Sequence, residues 1–294
     1  MMIGKVLKKH GGFYNVSCNN ELYECKLSGK QKHHQKNFIV AGDFVEFELD
    51  ETYGNMYGYI TSVRNRNNYI PRPGIANSDQ LLIVAAIKEP SYDFLLLDKM
   101  LCLANYYHLP PTICFSKMDL SNDEDRQTVE AYYKNTKVNI LYISENESLE
   151  SIENYCKNKT TVLTGNSGVG KSSLINKLLG YNVQSVQDIS MKLNRGKNTT
   201  RTAEFFSYNG GFIVDTPGFS ALDLPMDITK TMLKELYPEY QQYANSCYFN
   251  NCMHVEEPKC EIKSLIENNT FAKERYDNYL KLFKDLEQRE RMRK

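Results

Sequence analysis

The chain reads as a multidomain protein with an N-terminal OB-type β-barrel, a central α/β domain and a C-terminal α-helical module. Three observations carry this reading. Five short, punctuated β patterns fill residues 1–68, strands alternate with helices over 69–222, and the strand patterns then stop, giving way to helical ones with a cysteine cluster over 223–294.

In the first segment "IGKVLKK", "GFYNVSC", "ELYECKL", "DFVEFEL" and "GYITSV" show β-branched or aromatic residues with partial alternation, separated by Gly, Asn and Asp. Five such strands in so short a stretch suit a small barrel. The loop "KLSGKQKHHQKNF" brings Lys26, Lys30, Lys32 and Lys36 together with two histidines. It reads equally as a solvated loop or as a phosphate-contacting loop of a nucleic-acid-binding barrel. "RNRNNYIPRPGIANSDQ" reads as a polar linker. Beyond it, strands are expected at "QLLIVAAI", "PTICFS", "VNILYIS", "TTVLTG" and "GGFIVD", with helices over 91–106, 122–134, 147–157 and 171–179. That alternation predicts a parallel sheet covered on both faces. In the last segment Tyr276, Tyr279, Leu280, Phe283 and Leu286 share one face of a terminal helix, suited to packing on the module.

Bulk properties narrow the function classes. The 294 residues carry 36 basic and 36 acidic side chains, so a nucleic-acid surface has to be a local patch rather than a global charge. No apolar run approaches the roughly 20 residues of a spanning helix, and "MMIGKVLKKHGG" lacks a signal-peptide pattern. A soluble, cytoplasmic protein is expected. Five of the eight cysteines are scattered, and three cluster with a histidine, which favours a reducing compartment and one metal site over a disulfide framework.

The central segment carries a complete P-loop, Gly165-x4-Gly170-Lys171-Ser172, between an apolar strand and an amphipathic helix. Gly165, Asn166, Ser167, Gly168, Val169, Gly170 and Ser173 would turn backbone and hydroxyl groups onto the phosphates of a nucleotide. Lys171 is the candidate catalytic cation for the β- and γ-phosphates, and Ser172 a magnesium ligand. "GGFIVDTPGFS" ends a strand at Asp215, placed for the magnesium shell, with Gly218 offering its N–H to the γ-phosphate. The intervening "KLNRGKNTTRTAEFF" suits a mobile switch segment. There Thr200, with Thr199 as alternative, is the candidate catalytic hydroxyl that senses magnesium and γ-phosphate.

A P-loop does not name the base. No Asn/Thr-Lys-x-Asp element follows it, but Ser116-Lys117-Met118-Asp119 precedes it at the end of "TICFS". Asp119 can accept from guanine N1–H and the 2-amino group, a donor pair that adenine lacks. Lys117 would lie along the base, and Ser144, ending the next strand, sits where a backbone contact to guanine O6 is made. Base-reading elements, P-loop and switches in this order describe a circularly permuted GTPase domain using GTP and GDP. An ATPase or small-molecule kinase on the same loop is the enzymatic alternative.

"CYFNNCMHVEEPKC" supplies Cys247, Cys252, His254 and Cys260, a closed set of three thiolates and one imidazole suited to a structural Zn²⁺. With "RPGIANSDQ", "SKMD", "GNSGVGKSSLIN", "RGKNTTR" and "DTPGFS", this cluster makes the chain resemble the circularly permuted ribosome-small-subunit-dependent GTPase A family over essentially its whole length. The resemblance implies a GTPase acting late in maturation of the 30S subunit, with barrel and zinc module on 16S rRNA; a monomer is expected. An RNA-binding scaffold with nucleotide as a structural ligand is the non-enzymatic alternative. Two departures stand out: Ser116 replaces the usual Asn or Thr, and Asn198 stands where relatives carry His. Phe219 follows Gly218 where many GTPases place a water-orienting glutamine, which predicts slow intrinsic hydrolysis.

Overall fold

The computed structural model describes residues 1–28, 39–50, 54, 56–145, 147–182, 203–216 and 223–293. The chain forms two compact units that do not follow chain order: Met1–Leu82 with Leu149–Gly165 and Lys171–Phe219, and Ile83–Ser148 with Asn166–Gly170 and Ser220–Lys294.

In the first unit β1 (Met2–His10), β2 (Phe13–Cys18), β3 (Glu21–Leu27), β4 (Phe44–Leu49) and β5 (Tyr57–Val63) close into a barrel in the order β1-β2-β3-β5-β4. Alternation sends Tyr14, Val16 and Cys18 inward from β2, to meet Val6, Tyr23, Val45, Phe47 and Ile60. Asn19 and Asn20, at φ 52° and 65°, make the two-residue β2–β3 turn, where both positions need left-handed backbone.

The stretch read as a polar linker is instead structured. β6 (Tyr69–Ile70) and β7 (Ile75–Ala76) pair as a small hairpin, and Ile70, Ile75 and Ala76 are almost fully buried. Ala76 N–H donates to Ala41 O at 2.9 Å, and the Asn77 amide donates to Gly42 O at 3.0 Å. Gly42, at φ 92°, is required here: a Cβ would lie 1.9 Å from Ala76 O. Backbone pairing of this kind leaves no periodic signal in a four-residue hairpin.

The same unit holds the first residues of β8 (Gln80–Ala86), then α3 (Glu150–Cys156), β11 (Thr160–Thr164), α4 (Lys171–Leu179), β12 (Glu204–Tyr208) and β13 (Gly211–Asp215). β11 and β13 run parallel with Leu163 opposite Asp215. β12 is an addition to the expected set: residues read as the end of a switch segment pair antiparallel with β13, so the sheet is mixed rather than all parallel. Lys5 on β1 is buried and donates to Thr160 Oγ1 at 2.7 Å and Asn77 O at 3.2 Å, ringed by Phe44, Phe205 and Phe212. Burial pulls its pKa down to about 8, with Asp79 opposing.

The second unit holds the rest of β8, α1 (Phe94–Tyr106), β9 (Pro111–Ser116), α2 (Asp123–Tyr132) and β10 (Asn139–Tyr142), with β9 and β10 parallel. α1 starts three residues later than expected because the Asp93 carboxylate caps it, accepting from Leu95 N–H at 2.9 Å. β8 is buried along its whole length, as its unbroken apolar run requires. The C-terminal segment adds α5 (Lys230–Leu233), α6 (Pro238–Gln241), α7 (Glu261–Glu267) and α8 (Lys273–Arg291). Tyr276, Tyr279, Phe283 and Leu286 are buried as expected, and Leu280 packs at the margin of the same core. No helix among the described residues is long and apolar enough to cross a membrane.

What periodicity did not signal is an ion triad inside this core. The Arg275 guanidinium, almost fully buried on α8, meets Asp98 of α1 and, at 2.7 Å, Glu239 of α6. Tyr132 OH donates to Asp98 as well, and the Asn278 amide donates to Tyr132 OH at 2.7 Å. Burial pushes the Asp98 carboxyl up to about 6, with Arg275 opposing. Removing one member strands buried charge, so Arg275→Met should destabilise this unit by about 3–5 kcal/mol in urea unfolding. A loss below about 1 kcal/mol would show the triad to be energetically idle.

Candidate nucleotide site and metal centre

The phosphate loop follows β11 and turns on three glycines with positive φ, Gly165 (153°), Gly168 (80°) and Gly170 (89°). Only residues without a Cβ adopt this series cheaply, and it turns successive N–H groups to one side. Asn166, Ser167 and Gly168 are exposed, whereas Val169 is buried and anchors the loop. Ser172 and Ser173 are exposed in the first turn of α4, where backbone N–H groups have no intrahelical partner.

In the first unit Lys171 Nζ lies 3.4 Å from Asp215 Oδ1, an oxygen that is buried and without a hydrogen bond among the described residues. Thr216 Oγ1 donates to Leu163 O at 2.6 Å, tying the end of β13 to β11. A buried carboxylate oxygen and an exposed helix-start hydroxyl are oxygen donors of the kind that fits Mg²⁺, and the ammonium fits a phosphate. Thr199, Thr200, Asn198, Gly218 and Phe219 lie outside the described residues.

In the second unit the candidate base-reading element, Ser116–Asp119, meets the loop. Ser116, at the end of β9, donates its hydroxyl to Val169 O at 2.6 Å, with Ala85 O a second acceptor at 3.3 Å. Ser116 is thus engaged within the protein rather than turned toward a ligand. Lys117, at φ 58°, starts a tight turn over Met118–Leu120 that leaves Asp119 exposed. One Asp119 oxygen accepts from Glu145 N–H at 3.3 Å, which brings the loop containing half-buried Ser144 to the carboxylate. The Lys117 ammonium donates to Glu89 O. Asn166 and Val169 also line a cavity of about 20 Å³ with Ala85, Pro90 and Leu97, room for a single water and not for a base. The partners that sequence reading missed, Val169 O and Glu89 O, are main-chain carbonyls, whose engagement has no residue-type signature.

Cys247, Cys252, His254 and Cys260 converge: their ligand atoms all lie within 4.8 Å of one another, and all four residues are buried. His254 Nδ1 is 3.6 Å from Cys247 Sγ and 3.4 Å from Cys260 Sγ. A tetrahedron with Zn–S near 2.3 Å and Zn–N near 2.0–2.1 Å has S···N edges of about 3.5 Å, so the set fits Zn²⁺. Burial, then Lys234, pushes the imidazole down to about 4, leaving a neutral ring able to ligate. His254 N–H donates to Cys252 Sγ and Glu261 N–H to Cys247 Sγ, each at 3.4 Å. Tyr276 and Tyr279 hydroxyls donate to His254 O and Met253 O, at 2.8 and 2.6 Å, so the outer shell is assembled around the ligands as well.

A phosphate loop preceded in the chain by its base-reading strand, on this fold, defines a circularly permuted P-loop GTPase. Solved structures agree. The crystal structure of YloQ, a circularly permuted GTPase, is 31% identical with a TM-score of 0.82, covering 98% of this chain and 96% of that one. YjeQ from Thermotoga maritima is 34% identical with a TM-score of 0.78, covering 97% and 98%. Curated relatives described as small ribosomal subunit biogenesis GTPase RsgA include those of Staphylococcus saprophyticus, 40% identical over 98% of this chain and 99% of its own, and Clostridium novyi, 37% identical over 97% of each. The RsgA GTPase model matches residues 63–225 and the RsgA N-terminal domain model residues 3–60. The chain belongs to the RsgA GTPase family.

Two outcomes test the site. Ser116→Ala removes the hydroxyl bonded to the buried Val169 carbonyl, and should weaken guanine-nucleotide binding by about 5- to 15-fold, about 1–1.5 kcal/mol, in fluorescent-GDP titrations. The purified chain should carry one zinc per molecule by elemental analysis, and Cys252→Ser should abolish it and lower the melting temperature of the C-terminal module.

Proposed function

We propose that the chain binds the 30S subunit and hydrolyses GTP to GDP and phosphate during late small-subunit maturation, with hydrolysis stimulated by the subunit. The observation that carries this reading is the Ser116–Val169 hydrogen bond, which joins the base-reading element to the phosphate loop. Family membership supports guanine as the base and the small ribosomal subunit as the partner, since relatives of similar length carry that description.

In this mechanism Asp119 accepts the two guanine donors, with Lys117 along the base and the backbone at Ser144 on O6. The N–H groups over Gly165–Lys171, with the hydroxyls of Ser172 and Ser173, hold the phosphate chain. Lys171 offsets charge that grows on the transferring phosphoryl oxygens. Ser172, Asp215 and Thr200 would hold Mg²⁺, which would supply electrostatic stabilisation of phosphate charge. The Lys171 ammonium stands 3.4 Å from Asp215 Oδ1, so the cation for phosphate and the carboxylate for the ion lie side by side. Gly218 offers its N–H to the γ-phosphate. Phe219 can neither donate to nor accept from water, which supports a chain slow by itself and completed on its subunit.

Cys247, Cys252, His254 and Cys260 would hold Zn²⁺ with four protein ligands, as a structural staple. The barrel and zinc module contact 16S rRNA, and the protein works as a cytoplasmic monomer in three functional segments, 1–68, 69–222 and 223–294. Phosphate release should rise at least tenfold when purified 30S subunits are added, and Lys171→Ala should remove turnover with and without them. Equal rates with and without subunits would sink the proposed stimulation.

A further inference from the structure

In the second unit an open groove of about 410 Å³ is lined by none of the residues assigned above to nucleotide or zinc. Its aromatic part is rigid. Phe94, the first residue of α1, stacks on Tyr132 at the end of α2 with ring centroids 3.7 Å apart and planes at 4°, and Tyr92 meets Phe94 edge-on at 4.9 Å. The Tyr132 hydroxyl is fixed in turn by Asp98 and the Asn278 amide. Tyr92 and Phe94 remain half-buried. Other rings of the chain are covered by its own cations: Arg66 stands over Tyr69 at 4.5 Å, Arg126 over Tyr142 at 4.6 Å and Lys259 over Tyr248 at 4.8 Å. Among the described residues no lysine or arginine stands over Tyr92, Phe94 or Tyr132.

The rest of the groove is acidic. Glu274, Asp277 and Lys281 follow at i, i+3 and i+7 on α8, so they share one face over about 10 Å, and Asp93 adds a third carboxylate. Glu274 makes no side-chain hydrogen bond or ion pair among the described residues. Asp93 spends one oxygen on the Leu95 N–H. Asp277 has the exposed i,i+4 partner Lys273 at 2.9 Å, a kind of pair that is weak and readily exchanged. Lys281 is the cation of the lining, and its ammonium donates to Asn278 Oδ1 at 3.1 Å. An excess of carboxylates repels a phosphate backbone, so this face is unsuited to nucleic acid. It is complementary to a cation with a flat face. A guanidinium can lie on a ring and take a carboxylate through two N–H groups, which an ammonium cannot do. The volume is that of a ligand-sized cleft, and the acidic stretch of α8 matches about three residues of extended chain, so a peptide fits it better than a free ion.

We propose that this groove is a docking site for an arginine-bearing segment of a basic protein, with guanidinium groups laid on Tyr92 and Phe94 and paired with Asp93, Glu274 and Asp277. The proposal is independent of the nucleotide reading, since it uses none of those residues.

The experiment uses the full-length, zinc-loaded chain and a fluorescent Gly-Arg-Gly-Arg-Gly-Arg peptide followed by anisotropy, with Gly-Lys-Gly-Lys-Gly-Lys and free arginine as competitors. The variants are Glu274→Gln with Asp277→Asn, Tyr92→Leu, and, as a control, Glu235→Gln with Glu267→Gln, two exposed carboxylates outside the groove. The arginine peptide should bind saturably, one per chain. The groove carboxylate pair should weaken it about tenfold or more and Tyr92→Leu about fivefold, with the control within about twofold and the lysine peptide about fivefold weaker than the arginine one. GDP affinity should stay within about twofold throughout. Lack of saturable binding would overturn the proposal, as would an equal loss in the control, equal affinity for the lysine peptide, or competition by free arginine at the peptide's own concentration. Tighter binding of a single-stranded RNA to the carboxylate variant, with peptide binding unchanged, would assign the face to nucleic acid and overturn it as well. If Tyr92→Leu does not fold, the carboxylate pair decides by the same criteria.

Discussion

The hydrogen bond from Ser116 to the Val169 carbonyl is the constraint on which the rest of the site depends. The strand end proposed to read the base and the loop proposed to hold the phosphates need a fixed separation to act on one nucleotide. A short hydroxyl on a buried carbonyl provides that, at 2.6 Å. The glycines of the loop then act on a fixed base, so their left-handed angles turn into an array of aimed N–H groups.

The C-terminal module has a different kind of order. Its helices are short apart from α8, and its core mixes leucine and isoleucine with four buried tyrosines and the three clustered cysteines. A module of this size gains specificity from directional contacts: four converging metal ligands, a buried arginine shared by two carboxylates, and a second arginine, Arg289, on the carbonyls of Leu224, Pro225 and Ile228.

Much was legible in the chain because it rests on local chemistry. Alternation marked the five barrel strands, the P-loop spacing marked the glycine turn between β11 and α4, and the cysteine and histidine spacing marked the four residues that converge, since each depends on residue type at a fixed offset. The elements that escaped depend on what a segment meets. The 69–76 hairpin is held by carbonyls of Ala41 and Gly42, β12 by pairing with β13, and Arg275 is buried only because Asp98 and Glu239 arrive from other helices.

The sequence by itself determined the order of the motifs, the donor atoms available to nucleotide and metal, and the family, because these are properties of side chains and their spacing. Tertiary structure alone decided which carbonyls Ser116, Lys117 and Arg289 would engage. Main-chain oxygens are identical at every position, so only folding distinguishes one from another.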